Sequence, residues 1–222
     1  MARTLIHFWF LEKNRMKEIF VSNFHKWQAS PENPKEKPKL EFADPLFKRR
    51  LSQITRMTVQ VLHDLIEEMP EAASLKQVFV SLRGEIEREF SINKGIIEDS
   101  EILPAGFSLS VFNTPVAAAS LALKLKAGYS VVYPSEGNFF SAFLGAAAPV
   151  LSGAEEKVVL VYADEYVPDE YGKLQPESNC GFAFACVLSA TGTNGSVSIN
   201  CSDNDIEEKL KNPLEFSEKI CR

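Results

Sequence analysis

Between Val131 and Ala148 the chain reads VVYPSEGNFFSAFLGAAA, which sets Ser135, Glu136 and Asn138 around Gly137. An apolar strand, a sharp polar turn and a small-residue helix together form a common mount for a nucleophile, because the turn presents a side chain to the positive end of the helix. Ser135 could transfer acyl groups only with a base to take its proton. It sits in Pro-Ser-Glu-Gly rather than in a GxSxG elbow, and the three histidines, His7, His25 and His63, all lie far upstream. Glu136, Asp164 and Glu165 offer carboxylates for acid–base work. The plainer expectation is that they are turn and loop acids at strand ends.

The four cysteines, Cys180, Cys186, Cys201 and Cys221, show no CxxC pairing and have no histidine at metal-ligand spacing. They are expected to be reduced core thiols, and no metal is expected. No GxGxxG or Walker pattern follows an apolar run, so neither a dinucleotide nor a nucleoside triphosphate is indicated and no cofactor is expected. The net charge is −6, with the acidic excess in the second half. A phosphate-backbone binder would be net basic with its cations on one face, so nucleic acid is excluded as the expected partner. The basic triplet Lys48, Arg49 and Arg50 is expected either to open a solvated helix or to dock an acidic protein. The apolar run near the start is too short for a signal core or a membrane span, so a cytoplasmic location is expected. Met16 opens MKEIFVSN, an ordinary domain beginning. Residues 1–15 are therefore read as an upstream extension and 16–222 as a single domain.

The elements that must position these side chains follow from periodicity. Lys17 to Asn23 alternates as a first strand, and residues 30–45, polar and rich in proline, form a loop. Leu51, Ile54, Met57, Val61, Leu62 and Leu65 recur with helical spacing up to Pro70. Residues 78–82 make a strand, 85–97 a helix, and Leu103-Pro-Ala a break. Thr114 caps a small-residue helix with Pro115 at its first position. Strand 129–133, a helix from Asn138 to about Leu151, and strand 158–162 continue a βαβ series whose apolar runs imply a sheet covered on both faces. Residues 181–188 and 196–199 are expected to pair as a hairpin across 191–195. The tail from 203 reads as a polar helix or a frayed end.

In order and spacing, KRRLSQITRM (48–57), FSLSVFNTPV (107–116), the strand, turn and helix around 135 and VVLVYADE (158–165) resemble the N-terminal half of β-ketoacyl synthases. More closely, the chain is similar to short β-ketoacyl synthase-like N-terminal domain proteins. These are chain-length-factor-like and occur beside aryl polyene or fatty-acid-type synthesis genes. The likeness runs from about Met16 to Ile199. It implies an α/β, thiolase-like half: a mixed, mainly parallel five-stranded sheet flanked by helices, with the last strand antiparallel.

In a working ketosynthase the corresponding turn presents a cysteine at a helix start, where the positive helix end favours the thiolate. The resemblance puts Glu136 at about that position, and no cysteine stands in the turn. Phe112 takes the place where short relatives tend to carry a histidine. The resemblance covers only the first of the two halves of active enzymes, so the catalytic histidines that the second half supplies are not expected in this chain. The expectation is a degenerate turn, Ser135, Glu136, Gly137 and Asn138, in a catalytically silent subunit. That subunit would pair with a full-length β-ketoacyl synthase through the edge strand 129–133. Phe112 and Phe139 are candidates for the acyl tunnel, with a core aromatic as the plain alternative for Phe139. Lys48, Arg49 and Arg50 are candidates for docking acyl carrier protein. Two other readings stay open: an independent acyl-thioester hydrolase or transferase using Ser135 or Glu136, and a homodimeric carrier-protein binding module.

Overall fold

The computed structural model of the chain describes residues 18–100, 104–134, 138–172, 179–201 and 210–221. The proposed extension at residues 1–15 and the turn residues Ser135, Glu136 and Gly137 lie outside them.

Among the described residues six strands form one sheet: β1 (Glu18–Gln28), β2 (Gln77–Val80), β3 (Tyr129–Val132), β4 (Lys157–Asp164), β5 (Phe182–Ser189) and β6 (Val197–Asn200). Their spatial order is β3-β2-β4-β5-β1-β6. β2 is parallel to both β3 and β4, whereas β5 is antiparallel to β4 and to β1. β1 therefore runs the same way as β4, so four strands share a direction, and the last strand, β6, opposes β1. The α/β architecture stands as expected, with two corrections. The sheet has six strands rather than five, and β5 and β6 form no hairpin because β1 inserts between them and pairs with both. β1 also runs on to Gln28 instead of ending at Asn23. A bulge between Ser22 and His25, with Asn23 at φ +49°, breaks the alternation there without ending the strand.

Seven α-helices connect and cover these strands among the described residues: α1 (Pro45–Arg49), α2 (Gln53–Glu68), α3 (Ile86–Asp99), α4 (Pro104–Phe107), α5 (Thr114–Ala122), α6 (Phe139–Leu151) and α7 (Pro213–Ile220). Several of the starts are capped by a side chain close in sequence. Asp44 accepts from the amides of Leu46 and Phe47, Ser52 from that of Thr55, and Asn138 from that of Ser141. Three expectations are corrected. The basic triplet closes α1 rather than opening a helix, which suits the negative helix end. The break after Leu103 is the short helix α4. The N-cap of α5 is Asn113, so Thr114 and Pro115 both fall inside the first turn.

Strand side chains alternate between two cores. On one face Val158, Leu160 and Tyr162 meet α6 and α7; on the other Val159, Val161 and Ala163 meet α2 and α5. Phe216 of α7 is completely buried, with ring centroids 5.2 Å from Phe184, 5.4 Å from Phe139 and 5.6 Å from Phe143. Within the tail, Pro213–Ile220 is thus an anchored amphipathic helix rather than a polar or frayed end. Replacing Phe216 with alanine is expected to cost about 3–5 kcal/mol. The loss should appear as a lower urea midpoint, with proteolysis beginning within α7.

Candidate active-site edge

Ligands of open α/β sheets gather outside the carboxyl ends of parallel strands. Here that edge is organised by two adjacent acids at the end of β4. Asp164 is buried: its Oδ1 accepts from Ser81 Oγ at 2.7 Å and from the amides of Leu82 and Arg83, each at 3.0 Å, while Oδ2 accepts from the Tyr162 hydroxyl at 2.5 Å. It therefore clamps the turn that leaves β2. Burial raises its pKa, against the pull of the Tyr162 and Ser81 hydrogen bonds.

Glu165 turns the other way. Its Oε1 accepts from the amide of Glu87 at 3.1 Å and its Oε2 from that of Ile54 at 3.3 Å, so one carboxyl group joins the starts of α3 and α2. Burial first, and then the neighbouring Glu85 carboxylate, push it up to about 8, with the two amides opposing. Glu85 is also buried. Its Oε1 accepts from Ser52 Oγ at 2.7 Å and Thr55 Oγ1 at 2.6 Å, and its Oε2 from Arg88 Nε at 2.9 Å. Gln53 completes the join: its Nε2 donates to the carbonyls of Pro34 and Glu36, and its Oε1 accepts from the amide of Tyr166. Asp164 and Glu165 thus spend their oxygens on the scaffold and do not face one another as acid and base. The contacts of Glu85 with Ser52 and Thr55 cross 33 and 30 residues, and no local spacing announces them.

The other candidates fall at separate places. Asn138 is the N-cap of α6, and the Phe139 amide donates to the Lys211 carbonyl at 3.4 Å, so the segment entering α7 lies against the start of α6. Phe139 is 1% exposed and packs edge-on against Tyr162 and Phe184 in the core. Phe112 is half-buried. It meets Tyr133 edge-on at 4.8 Å and covers Gly84, where φ is +62° and a Cβ would stand 2.8 Å from the ring. This ring closes the crevice between the ends of β2 and β3. Arg49 and Arg50, with Lys37 and Arg88, line a cleft of about 600 Å³ between the end of α1 and the side of α3; Glu87 and Asp99 also border it. Lys48 accepts through its carbonyl from Arg56 at 2.7 Å and does not line that cleft.

His25 binds Glu68 and His63 stacks on Phe42 beside Asp64, so neither is placed as base for a serine or a cysteine. Burial pushes the Cys186 thiol well up and the Cys201 thiol to about 11, away from thiolate chemistry. Among the described residues no group of histidine, cysteine and acidic side chains could hold a metal, and no helix is long and apolar enough to cross a membrane.

The Glu165 geometry gives a pH prediction. Its folded pKa lies above the ordinary 4.5, so its contribution to stability is complete below about pH 4.5 and is lost as pH rises to about 8. The melting temperature is expected to fall between pH 5.5 and 8.5, and Glu165→Gln should flatten that fall; an unchanged slope would contradict the placement.

The fold recurs in known structures. The chain is similar to one chain of the complex between the ketosynthase ApeO and its chain length factor ApeC from Xenorhabdus doucetiae, at 20% identity, covering 77% of this chain and 78% of that one with a TM-score of 0.62. The ishigamide ketosynthase/chain length factor shows 12% identity over 65% of this chain and 45% of that one, with a TM-score of 0.54. A β-ketoacyl synthase from Burkholderia phymatum STM815 shows 12% identity over 69% of this chain and 45% of that one, with a TM-score of 0.51. At these identities the likeness is one of fold, and the chain spans less than half the length of the latter two. No curated protein sequence matches the chain. The sequence profile of β-ketoacyl synthase N-terminal domains matches residues 24–219. The thiolase-like half-fold and this match over most of the chain agree: the protein belongs to the β-ketoacyl synthase N-terminal domain family.

Proposed function

We propose that the protein is a ketosynthase-like subunit, chain-length-factor-like in role, that pairs with a full-length β-ketoacyl synthase in fatty-acid or aryl-polyene-type biosynthesis and does not itself carry the acyl chain. The observation that carries the proposal is the open edge at β3. Gly128 and Val132 turn their carbonyls toward β2, so by alternation Tyr129 and Val131 direct their backbone groups outward. An apolar edge strand with unsatisfied backbone groups is a liability unless another strand covers it. Tyr133, 65% exposed, extends this surface beyond the strand end.

The likeness to one chain of a ketosynthase solved with its chain length factor supports the choice of partner. Silence follows from the sequence, in which the turn before α6 has no cysteine and so no thiol for an acyl thioester. Phe112, wedged between Gly84 and Tyr133, would limit chain length by its bulk in the paired assembly. The cations of the α1 cleft, with Lys48 beside it, suit the docking of an acidic acyl carrier protein.

Co-expression with a full-length ketosynthase is expected to yield a stable one-to-one complex by mass. Val131→Pro removes one outward N–H while sparing the bonds to β2. It should weaken the complex about tenfold, on the scale of one or two backbone hydrogen bonds at roughly 1 kcal/mol each. After incubation with acyl carrier thioesters, intact-mass measurement should find this chain unmodified; a trapped acyl group on it would refute silence.

A further inference from the structure

A cleft of about 320 Å³ opens beside the carboxyl ends of β2 and β4, between the turn that follows β2 and one face of α7. Ligand pockets run from about 300 to 1,000 Å³, so this one suits a small molecule. Its wall is apolar, made by the rings of Tyr162 and Phe182, with centroids 6.2 Å apart, and by Leu82 and Leu214. Its charged groups stand on opposite sides. Arg83 comes from the β2 turn, whereas Glu215 and Glu218, three residues apart and so neighbours on the helix surface, come from α7.

These three charges are free to meet a ligand. Arg83 donates through Nη1 to the Glu165 carbonyl at 3.4 Å, and the rest of its guanidinium has no partner among the described residues and is not sealed inside the protein. Among the described residues no ion pair joins either glutamate to Arg83 or to any other cation. Asp164 also borders the cleft but has nothing left to offer. A carboxylate has about four acceptor sites, and Ser81, Leu82, Arg83 and Tyr162 already donate to it. Its part is to brace the site, since those bonds fix the backbone from which Arg83 leaves and the hydroxyl of the Tyr162 ring. The facing wall is fixed as well, because the buried Phe216 anchors α7. Both sides of the cleft are thus in place before a ligand arrives, which lowers the ordering cost of binding.

We infer that this cleft binds a small zwitterion, an α-amino acid with an apolar or aromatic side chain. The guanidinium fork of Arg83 takes the carboxylate. Glu215 and Glu218 take the ammonium group, and the wall of Tyr162 and Phe182 covers the side chain. A simple anion would meet Arg83 but lie close to two carboxylates, and a simple amine would lie close to the guanidinium. An uncharged molecule would leave all three charges unanswered. The site lies wholly within this chain, so it stands whether or not the pairing with a synthase forms.

The test is calorimetry on the full chain with L-phenylalanine and L-leucine, beside two analogues that each lack one charge: phenylpropionate, without the ammonium, and phenylethylamine, without the carboxylate. At least one of the amino acids is expected to saturate the chain, and each analogue to bind at least about tenfold more weakly than phenylalanine, the scale of one lost charge-assisted contact. Arg83→Gln should weaken phenylalanine about tenfold while leaving phenylethylamine no weaker, and the double variant Glu215→Gln, Glu218→Gln should weaken phenylalanine while leaving phenylpropionate no weaker. Both are expected to keep the wild-type urea midpoint, since the Arg83 backbone stays held by Asp164 and both glutamates are exposed. Should a variant fold poorly, the analogue series on the wild-type chain decides alone. Failure of both amino acids to saturate by about 10 mM, weaker than a millimolar site, overturns the inference. So does an analogue that binds the wild-type chain as tightly as phenylalanine, because the cleft would then read a single charge.

Discussion

The carboxyl edge of the sheet depends on two neighbouring acids leaving β4 toward opposite faces. Asp164 collects donors from Ser81, Leu82, Arg83 and Tyr162, enough to hold a buried carboxyl group in place. Glu165 has only the first-turn amides of α2 and α3. An anion at a helix start gains about 0.3–1 kcal/mol, or up to about 2 when partly buried, whereas removing a carboxylate from water costs several kcal/mol. With Glu85 adding a like charge nearby, two amides do not offset that cost. Glu165 therefore keeps its proton up to about pH 8. It works as a hydrogen-bonded join between two helices more than as a fixed charge.

The same edge explains why the candidate site is a scaffold with few free chemical groups. Tyr162 and Phe184 stack at 5.5 Å, and Phe139, Phe182 and Phe216 gather around them. Large rings take up the space between the start of α6 and the sheet, and the segment at Lys211 lies over that start. Phe112 fills the neighbouring crevice over Gly84, a position where any side chain would strike the ring. What remains open is a cleft of about 320 Å³ beside Asp164 and Tyr162, lined also by Arg83 and Phe182, and the basic cleft by α1.

The two sheet edges differ in a way that bears on partner choice. β6 is short and presents Ser198 and Asn200 to solvent, the kind of polar edge that resists further strand addition. β3 is equally short, yet it is apolar and bracketed by exposed tyrosines. Unequal edges favour association through one side alone. In the proposed pairing that side is β3, and the opposite edge stays in water.

Much of the fold was legible in the sequence because it is local. The helical period from Ile54 to Leu65, the unbroken apolar run of β4 and the helix that begins near Asn138 each depend on residues within a few positions, and short motifs in the right order pointed to the family. Only the folded chain decided that β1 would lie between β5 and β6, that Phe216 would turn the tail into a core helix, and that Glu85 and Glu165 would meet the starts of two helices. Periodicity assigns a strand its two faces but not its neighbours, and a buried carboxyl group takes whichever donors the packing brings within reach. Those choices are made across many tens of residues of separation, where the sequence carries no spacing to read.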